Sequence, residues 1–205
     1  AGAAAFSDNV PQSDAFLVKQ LKDKGALVLG KVNLSEWAYY FCQGCPVGYS
    51  AMGGQTLNPY GRRQFETGGS SSGSGVAVAA NYAVAAIGSE TSGSILSPSG
   101  KNSVVGLKPT IGAVSRSGVV PISSTLDTAG PMTKNVVDNA ILLSAITGLD
   151  SKDSYSYASQ SIRFQGLDTI QMKGKRLGLI RNFAKDSLMQ VAIKIMEEAG
   201  ATIIT

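Results

Sequence analysis

The chain has 205 residues, of which 43% are hydrophobic, and this length predicts one or two domains with a buried core. Its net charge of +4 comes from basic residues spread along the chain, without the stripe of interleaved aromatics typical of a nucleic-acid surface. No stretch approaches the roughly 20 apolar residues that cross a bilayer, and residues 1–5 lack the pattern of a signal peptide. Composition therefore argues against nucleic acid and membrane as partners.

The first predicted element is a helix that Ser13 or Asp14 caps and that runs to Lys24, where Gly25 stops it. The apolar run Ala26–Leu29 follows directly and predicts a buried strand.

Residues 42–69 are rich in Gly, Pro and Asn, which predicts a long irregular segment that walls a site. The chain's two cysteines, Cys42 and Cys45, lie in this segment as a C-x-x-C pair. A zinc site needs two further Cys or His ligands that the chain does not offer, so a local disulfide or two ordinary thiols is the favoured interpretation.

The middle of the chain predicts a helix over Val76–Tyr82, a short strand over Ala85–Gly88 and another strand over Val104–Leu107. Residues 109–121 predict turns and short strands.

A helix is predicted over Asn135–Ile146, with one face formed by Val136, Val137, Ala140, Ile141 and Ser144. Residues 149–172 are polar and predict an exposed excursion. A strand over Arg176–Ile180, a helix over residues 188–199 and a strand over Thr202–Ile204 then form a strand-helix-strand unit. This alternation predicts an α/β fold, a mixed central sheet with helices on both faces.

Two glycine-serine loops contain the candidate catalytic residues. They are residues 68–75 with Ser70 and residues 88–95 with Ser94. Loops so poor in bulky side chains can bring backbone N–H groups close to a ligand, and a serine at such a loop can attack a carbonyl that those groups hold. A flexible linker is the alternative, but the packed run after Gly75 argues against it. The patterns of phosphate and dinucleotide loops are absent.

The chain has no histidine, so an imidazole cannot take the serine proton and another base is needed. Four segments, residues 68–75, 88–95, 105–110 and 126–132, occur in the order found in the amidase signature family, which the chain resembles. Residues 55–60 and 119–123 look like those of bacterial peptide amidases, the subgroup that removes the amide from peptide C-termini.

The resemblance implies a role for each loop residue. Ser94 would be the nucleophile, and Ser70, on a cis peptide bond, would pass its proton to a lysine. The N–H groups of Thr91, Ser92, Gly93 and Ser94 would form the oxyanion hole, and Ser71 would be a supporting hydrogen-bond donor. The family's chemistry needs no metal and no organic cofactor.

The family's lysine aligns upstream of Ala1, and neither Lys31 nor Lys108 stands in its place. We therefore expect residues 1–205 to be a single amidase signature domain that is incomplete at both ends. The missing remainder of that domain is its expected partner, and the chain alone is expected to be inactive.

The chain departs from the family pattern at two positions, of which the second bears on the substrate. Glu90 replaces an aspartate before the nucleophile loop, and Leu96 replaces an arginine two residues after the nucleophile. The loss of that charge favours a neutral or peptide amide as substrate. Asp127 is expected to make structural hydrogen bonds at a turn, and contact with the site is the less favoured alternative. The alternatives are a glutaminase subunit of a tRNA-dependent amidotransferase and a non-catalytic fragment that binds amides or partners.

Overall fold

A computed structural model describes residues 1–41, 44–157 and 171–204. The chain folds as two compact units, Ala1–Phe164 and Gln165–Thr205. It has a mixed α/β fold, as the sequence predicts. That all 205 residues form one domain stays a prediction.

The first unit contains a three-stranded antiparallel sheet in the order β3-β5-β4 and a separate two-stranded antiparallel ribbon, β1-β2. Its strands are β1 (Tyr49–Ser50), β2 (Gly54–Gln55), β3 (Ala85–Glu90), β4 (Val105–Gly106) and β5 (Thr128–Thr133). Its helices are α1 (Phe16–Asp23), α2 (Ser72–Ala79), α3 (Leu96–Lys101) and α4 (Val136–Ile146), with 3-10 turns at Ala4–Phe6 and Glu36–Tyr39.

The central strand β5 was not predicted. It contains Gly130 and Pro131, two residues that are rare inside a strand with partners on both sides. Pro131 lies opposite Ile87, and its carbonyl accepts hydrogen bonds from Leu107 N at 3.1 Å and Asn139 Nδ2 at 3.2 Å. All six residues of β5 are buried, so tertiary packing overrides the local preference.

A hydrophobic core forms where β5 meets α1 and α4, with Leu17, Val114, Ala129 and Ile146 at its centre. The predicted extent of α4 is confirmed, but its predicted face is wrong. Exposure of Val136, Val137 and Ile141 shows that this face points to solvent, while Asn139, Leu142, Leu143 and Ile146 pack inward.

Helix α1 begins later than the sequence predicts. Its N-cap is Ala15, and the carboxylate of Asp14 instead accepts from Lys22 Nζ at 2.7 Å. The stop is correct, because Gly25 has φ of +85° and its amide donates to Lys22 O, a conformation that few residues other than glycine adopt.

The predicted strand Ala26–Leu29 is wrong. These residues form no strand, and 89% of Leu27 and 76% of Leu29 are exposed. An apolar run becomes a strand only where a neighbouring strand offers hydrogen bonds and a surface to cover, and no described strand pairs with it.

Helix α2 begins at Ser72, inside the first glycine-serine loop and four residues before its predicted start. Small residues permit this, because Gly73 lies against Asn33, where an added Cβ would stand 2.4 Å from the Asn33 carbonyl oxygen. The amide of Gly73 donates to that same oxygen at 2.9 Å. The helix is therefore fixed against residues far from it in sequence.

Most described residues of the polar segment after α4 are exposed, as the sequence predicts, but two aspartates are exceptions. Asp150 and Asp153 are both buried. Arg116 binds Asp153 through Nε and Nη2, at 2.9 and 2.6 Å, and its guanidinium lies 4.5 Å from the centre of the Tyr155 ring. Hydrogen bonding to Arg116 holds the pKa of Asp153 below its usual range. The rest of this excursion, residues 158–170, lies outside the described residues.

The second unit pairs β6 (Arg176–Gly178) with β7 (Thr202–Ile204) in parallel, and α5 (Ser187–Glu198) connects them. This confirms the predicted strand-helix-strand order. Within the described ranges, no helix has the length and apolar character that a membrane crossing requires. Cys42 lies outside the described residues, so the state of the C-x-x-C pair stays a prediction.

Candidate functional site

Backbone hydrogen bonds bring the two glycine-serine loops side by side. The Ser71 amide donates to Ser94 O at 3.2 Å, and the Ser71 hydroxyl donates to Ser89 O and accepts from Ser89 N, both at 3.1 Å. The Ser74 hydroxyl donates to Ile87 O at 2.8 Å. The Ser71 hydroxyl therefore contacts the second loop, and its supporting role at the site stays a prediction.

Ser70 and Ser94 line one pocket. The Gly69–Ser70 peptide bond is cis, as the resemblance predicts. Ser70 is buried, and its carbonyl accepts from Ser35 N at 3.0 Å, whereas Ser94 is half-buried. In the described part of the chain, no hydrogen bond joins the two serine hydroxyl groups, so the proton relay stays a prediction.

The pocket takes its remaining lining from three places. One is the end of β3 and its loop, another is the segment from residue 119 to the start of β5, and the third is the turn at residue 38. These lining residues are Ala38, Ser89, Glu90, Thr91, Val119, Val120, Ile122, Asp127 and Thr128. Ser71, Ser92 and Gly93 adjoin the pocket without lining it.

The wall of the pocket was predicted in the wrong place. None of the described residues 44–69 lines it, whereas Val119, Val120 and Ile122 do. Val119 also packs against the hydrophobic core, which anchors this wall. The signal available in the sequence was the peptide-amidase-like stretch at residues 119–123.

The loop that carries Ser94 leaves its backbone N–H groups available. Among the hydrogen bonds of the described residues, none has the amide of Thr91, Ser92, Gly93 or Ser94 as its donor. The next two amides are occupied, since the buried carboxylate of Glu90 accepts from Ile95 N at 2.6 Å and Leu96 N at 3.0 Å. Glu90 thus binds the two amides at the start of α3, directly after Ser94.

The side chain of Ile95 anchors the loop that carries Ser94. It is fully buried, and a Cβ added at Gly88, Gly106 or Gly130 would lie about 3 Å from its side chain. These three glycines come from β3, β4 and β5, one from each strand of the sheet. Close packing of one isoleucine against three strands positions the adjacent Ser94.

Asp127 makes the hydrogen bonds expected at a turn, because Oδ2 accepts from Ile122 N at 2.7 Å and Ser123 N at 2.8 Å. Asp127 also lines the pocket, which is the less favoured of the two alternatives that the sequence left open. Among the described residues that line the pocket there is no lysine, so neither Lys31 nor Lys108 belongs to its lining.

The arrangement can hold a carbonyl group. An oxygen near the free amides would accept hydrogen bonds while the Ser94 hydroxyl faces the carbon. The apolar wall would cover the group next to that carbonyl.

Known proteins resemble this chain over its whole length. The Amidase family model matches residues 1–205. A probable amidase of Arabidopsis thaliana is 43% identical over 209 residues, covering all of this chain and 40% of the relative. A glutamyl-tRNA(Gln) amidotransferase subunit of Ruegeria sp. is 41% identical over 195 residues, covering 93% of this chain and 38% of the relative.

Among solved structures, native peptide amidase from Stenotrophomonas maltophilia is 46% identical and superposes with a TM-score of 0.90, covering 98% of this chain and 43% of that protein. The chain thus spans about 40% of the length of the relatives that it matches. On the family match over its whole length, the chain belongs to the amidase family.

Proposed function

We propose that this chain carries the nucleophile and the oxyanion-binding loop of an enzyme that hydrolyses a carboxamide to an acid and ammonia. One observation carries the proposal. The Ser94 hydroxyl and four backbone amides that donate to no acceptor among the described residues lie on one loop, at a pocket that Ser70 also lines.

In the proposed reaction the Ser94 oxygen attacks the carbonyl carbon while its proton moves toward Ser70. The amides at residues 91–94 stabilise the negative charge on the former carbonyl oxygen, and one such donor is worth about 3 kcal/mol of transition-state stabilisation. Ammonia leaves to give an acyl-enzyme on Ser94, and water then releases the acid. A lysine outside residues 1–205 takes the Ser94 proton through Ser70 and returns it to the departing nitrogen, which leaves as ammonia. In the second step the lysine takes a proton from the attacking water, and a proton returns to the Ser94 oxygen as the acid departs.

For the substrate we propose a peptide C-terminal amide. The wall formed by Val119, Val120 and Ile122 is apolar, and Leu96 supplies no charge for a substrate carboxylate. The peptide amidase named above is a relative at 46% identity. Release of ammonia from a peptide amide by the complete gene product carrying this chain is the direct test.

A glutaminase role is the second candidate, because an amidotransferase subunit is also a relative, at 41% identity. Ammonia release from free glutamine, compared with release from a peptide amide, separates the two substrates. Preference for glutamine by more than tenfold in kcat/KM would favour the second candidate. Turnover of neither substrate would leave a binding role.

The chain by itself is expected to release ammonia no faster than buffer, because a serine hydroxyl is a weak nucleophile until a base takes its proton. Adding a polypeptide that supplies the lysine segment should restore turnover. Turnover by residues 1–205 alone that disappears in Ser94→Ala would assign the base to a lysine within this chain.

A further inference from the structure

The structure assigns to Asp127 a positioning role, in which one carboxylate couples the nucleophile loop to the pocket wall. The inference rests on the proposed function, since it concerns how that site is held. Asp127 is 8% exposed and lies at the end of the wall segment, directly before β5.

The carboxylate contacts both parts of the site. Oδ1 accepts from Thr91 Oγ1 at 2.5 Å, and Oδ2 accepts from the wall amides of Ile122 and Ser123 at 2.7 and 2.8 Å. Hydrogen bonds to an ionised acceptor are about twice as strong as neutral ones. A single side chain therefore links the loop that carries the oxyanion amides with the wall that covers the substrate.

Sheet register brings the two parts together. Glu90, the last residue of β3, lies opposite Thr128, the first residue of β5. The chain leaves β3 at Thr91 and enters β5 from Asp127, so the two side chains meet at the same end of the sheet. A shift of Thr91 relative to Asp127 would therefore break hydrogen bonds between β3 and β5.

The wall segment, from residue 119 to Asp127, is also held by a contact that does not involve the Asp127 side chain. Arg116 Nη1 donates to the carbonyl of Ser124, and the same guanidinium is bound by Asp153. Because this contact does not reach the nucleophile loop, loss of Asp127 should release the loop from the wall without unfolding the wall. The effect should thus appear in catalysis before it appears in global stability.

Double-mutant kinetics on the complete gene product test the coupling. Thr91→Val removes the hydroxyl that reaches Oδ1, and we expect kcat to fall about tenfold while KM changes less than about twofold. Asp127→Asn loses the charge that supports both parts, so kcat should fall and KM should rise. Combined, the two changes should lower kcat by much less than the product of their separate effects.

Two further variants exclude a merely structural role. Thr91→Ser restores the hydroxyl donor and should recover most of the kcat lost in Thr91→Val. Asp186→Asn, an exchange at the N-cap of α5 outside the pocket, should change neither parameter. Fully multiplicative effects in the double variant would overturn the coupling.

Hydrogen exchange gives a readout that does not need turnover. In Asp127→Asn the amides of Ile95 and Leu96, which donate to Glu90 directly after Ser94, and those of Ile122 and Ser123 should all exchange about fivefold faster or more. Faster exchange in the wall with an unchanged loop would overturn the inference. Absence of turnover in the unmutated protein would instead contradict the proposed function. The hydrogen-exchange comparison would still test the positioning role of Asp127, because it does not need turnover.

Discussion

Ile95 and Leu27 are apolar side chains of the same size with opposite environments. Ile95 is fully buried between three glycines of the sheet, whereas Leu27 is 89% exposed in a segment without a strand partner among the described residues. The contrast shows that an apolar side chain permits burial but does not ensure it. Whether the side chain is buried depends on the elements that surround it.

The largest loss of stability among the variants that test this comparison is expected for Ile95→Ala. Three strands approach the side chain through glycines, so the surroundings cannot collapse easily and a cavity remains. We expect the free energy of unfolding to fall by about 3 to 4 kcal/mol, in the range for large-to-small changes in cores. Urea unfolding of the two proteins measures it, and a loss below about 1 kcal/mol would contradict the packing described for Ile95.

Asp153→Asn tests the reverse case, a polar side chain that is buried in an otherwise exposed segment. Breaking the ion pair with Arg116 leaves an uncompensated charge, and we expect a loss of about 3 kcal/mol in the free energy of unfolding. In the unmutated protein the pKa of Asp153 lies below its ordinary value of 3.8. Its contribution is therefore present above that pH and is lost as the pH falls through the lower folded pKa.

An acid titration of stability supplies the control for that exchange. The unmutated protein should lose stability on going from about pH 5 to pH 2, and the variant should lose less over the same interval. Equal slopes in the two proteins would show that Asp153 does not draw stability from its ionised form.

Gly73→Ala and Gly30→Ala make the same exchange at a closely packed position and at an open one. At Gly73 the new methyl group would overlap Asn33, and we expect a loss of about 1 to 3 kcal/mol despite the better helix propensity of alanine. At Gly30 nothing lies within 4 Å of the added carbon, so stability should stay equal or rise by less than about 1 kcal/mol. Thermal unfolding of both variants ranks them, and equal losses would contradict the account.

These positions also show how far sequence reasoning reaches. Both serine loops, the cis bond before Ser70 and the helix over residues 136–146 could be predicted, because they depend on local residue types or on a family motif that includes its own context. Strand β5 could not, since Pro131 argues against a strand unless its two partners are known.

The remaining errors share a cause. The wall at residues 119–122, the burial of Asp153 and the exposure of residues 26–29 all depend on which distant segment lies opposite. Asp127 could be assigned to a turn from its position, but its contact with Thr91 follows only from the register of β3 and β5. A sequence pattern describes one segment, whereas each of these features depends on the contact between two segments.

Leu27→Ser is the smallest expected effect. Because the side chain is almost fully exposed, we expect the free energy of unfolding to change by no more than about 0.5 kcal/mol. Denaturant midpoints of the two proteins measure the difference. A loss above about 2 kcal/mol would mean that Leu27 is buried in solution.

The most direct test of the central claim is covalent labelling of the complete gene product with a fluorophosphonate, followed by peptide mapping. If Ser94 is the nucleophile, one adduct should form on Ser94, and Ser94→Ala should abolish it together with ammonia release. An adduct on another serine while Ser94 stays unmodified would contradict the assignment.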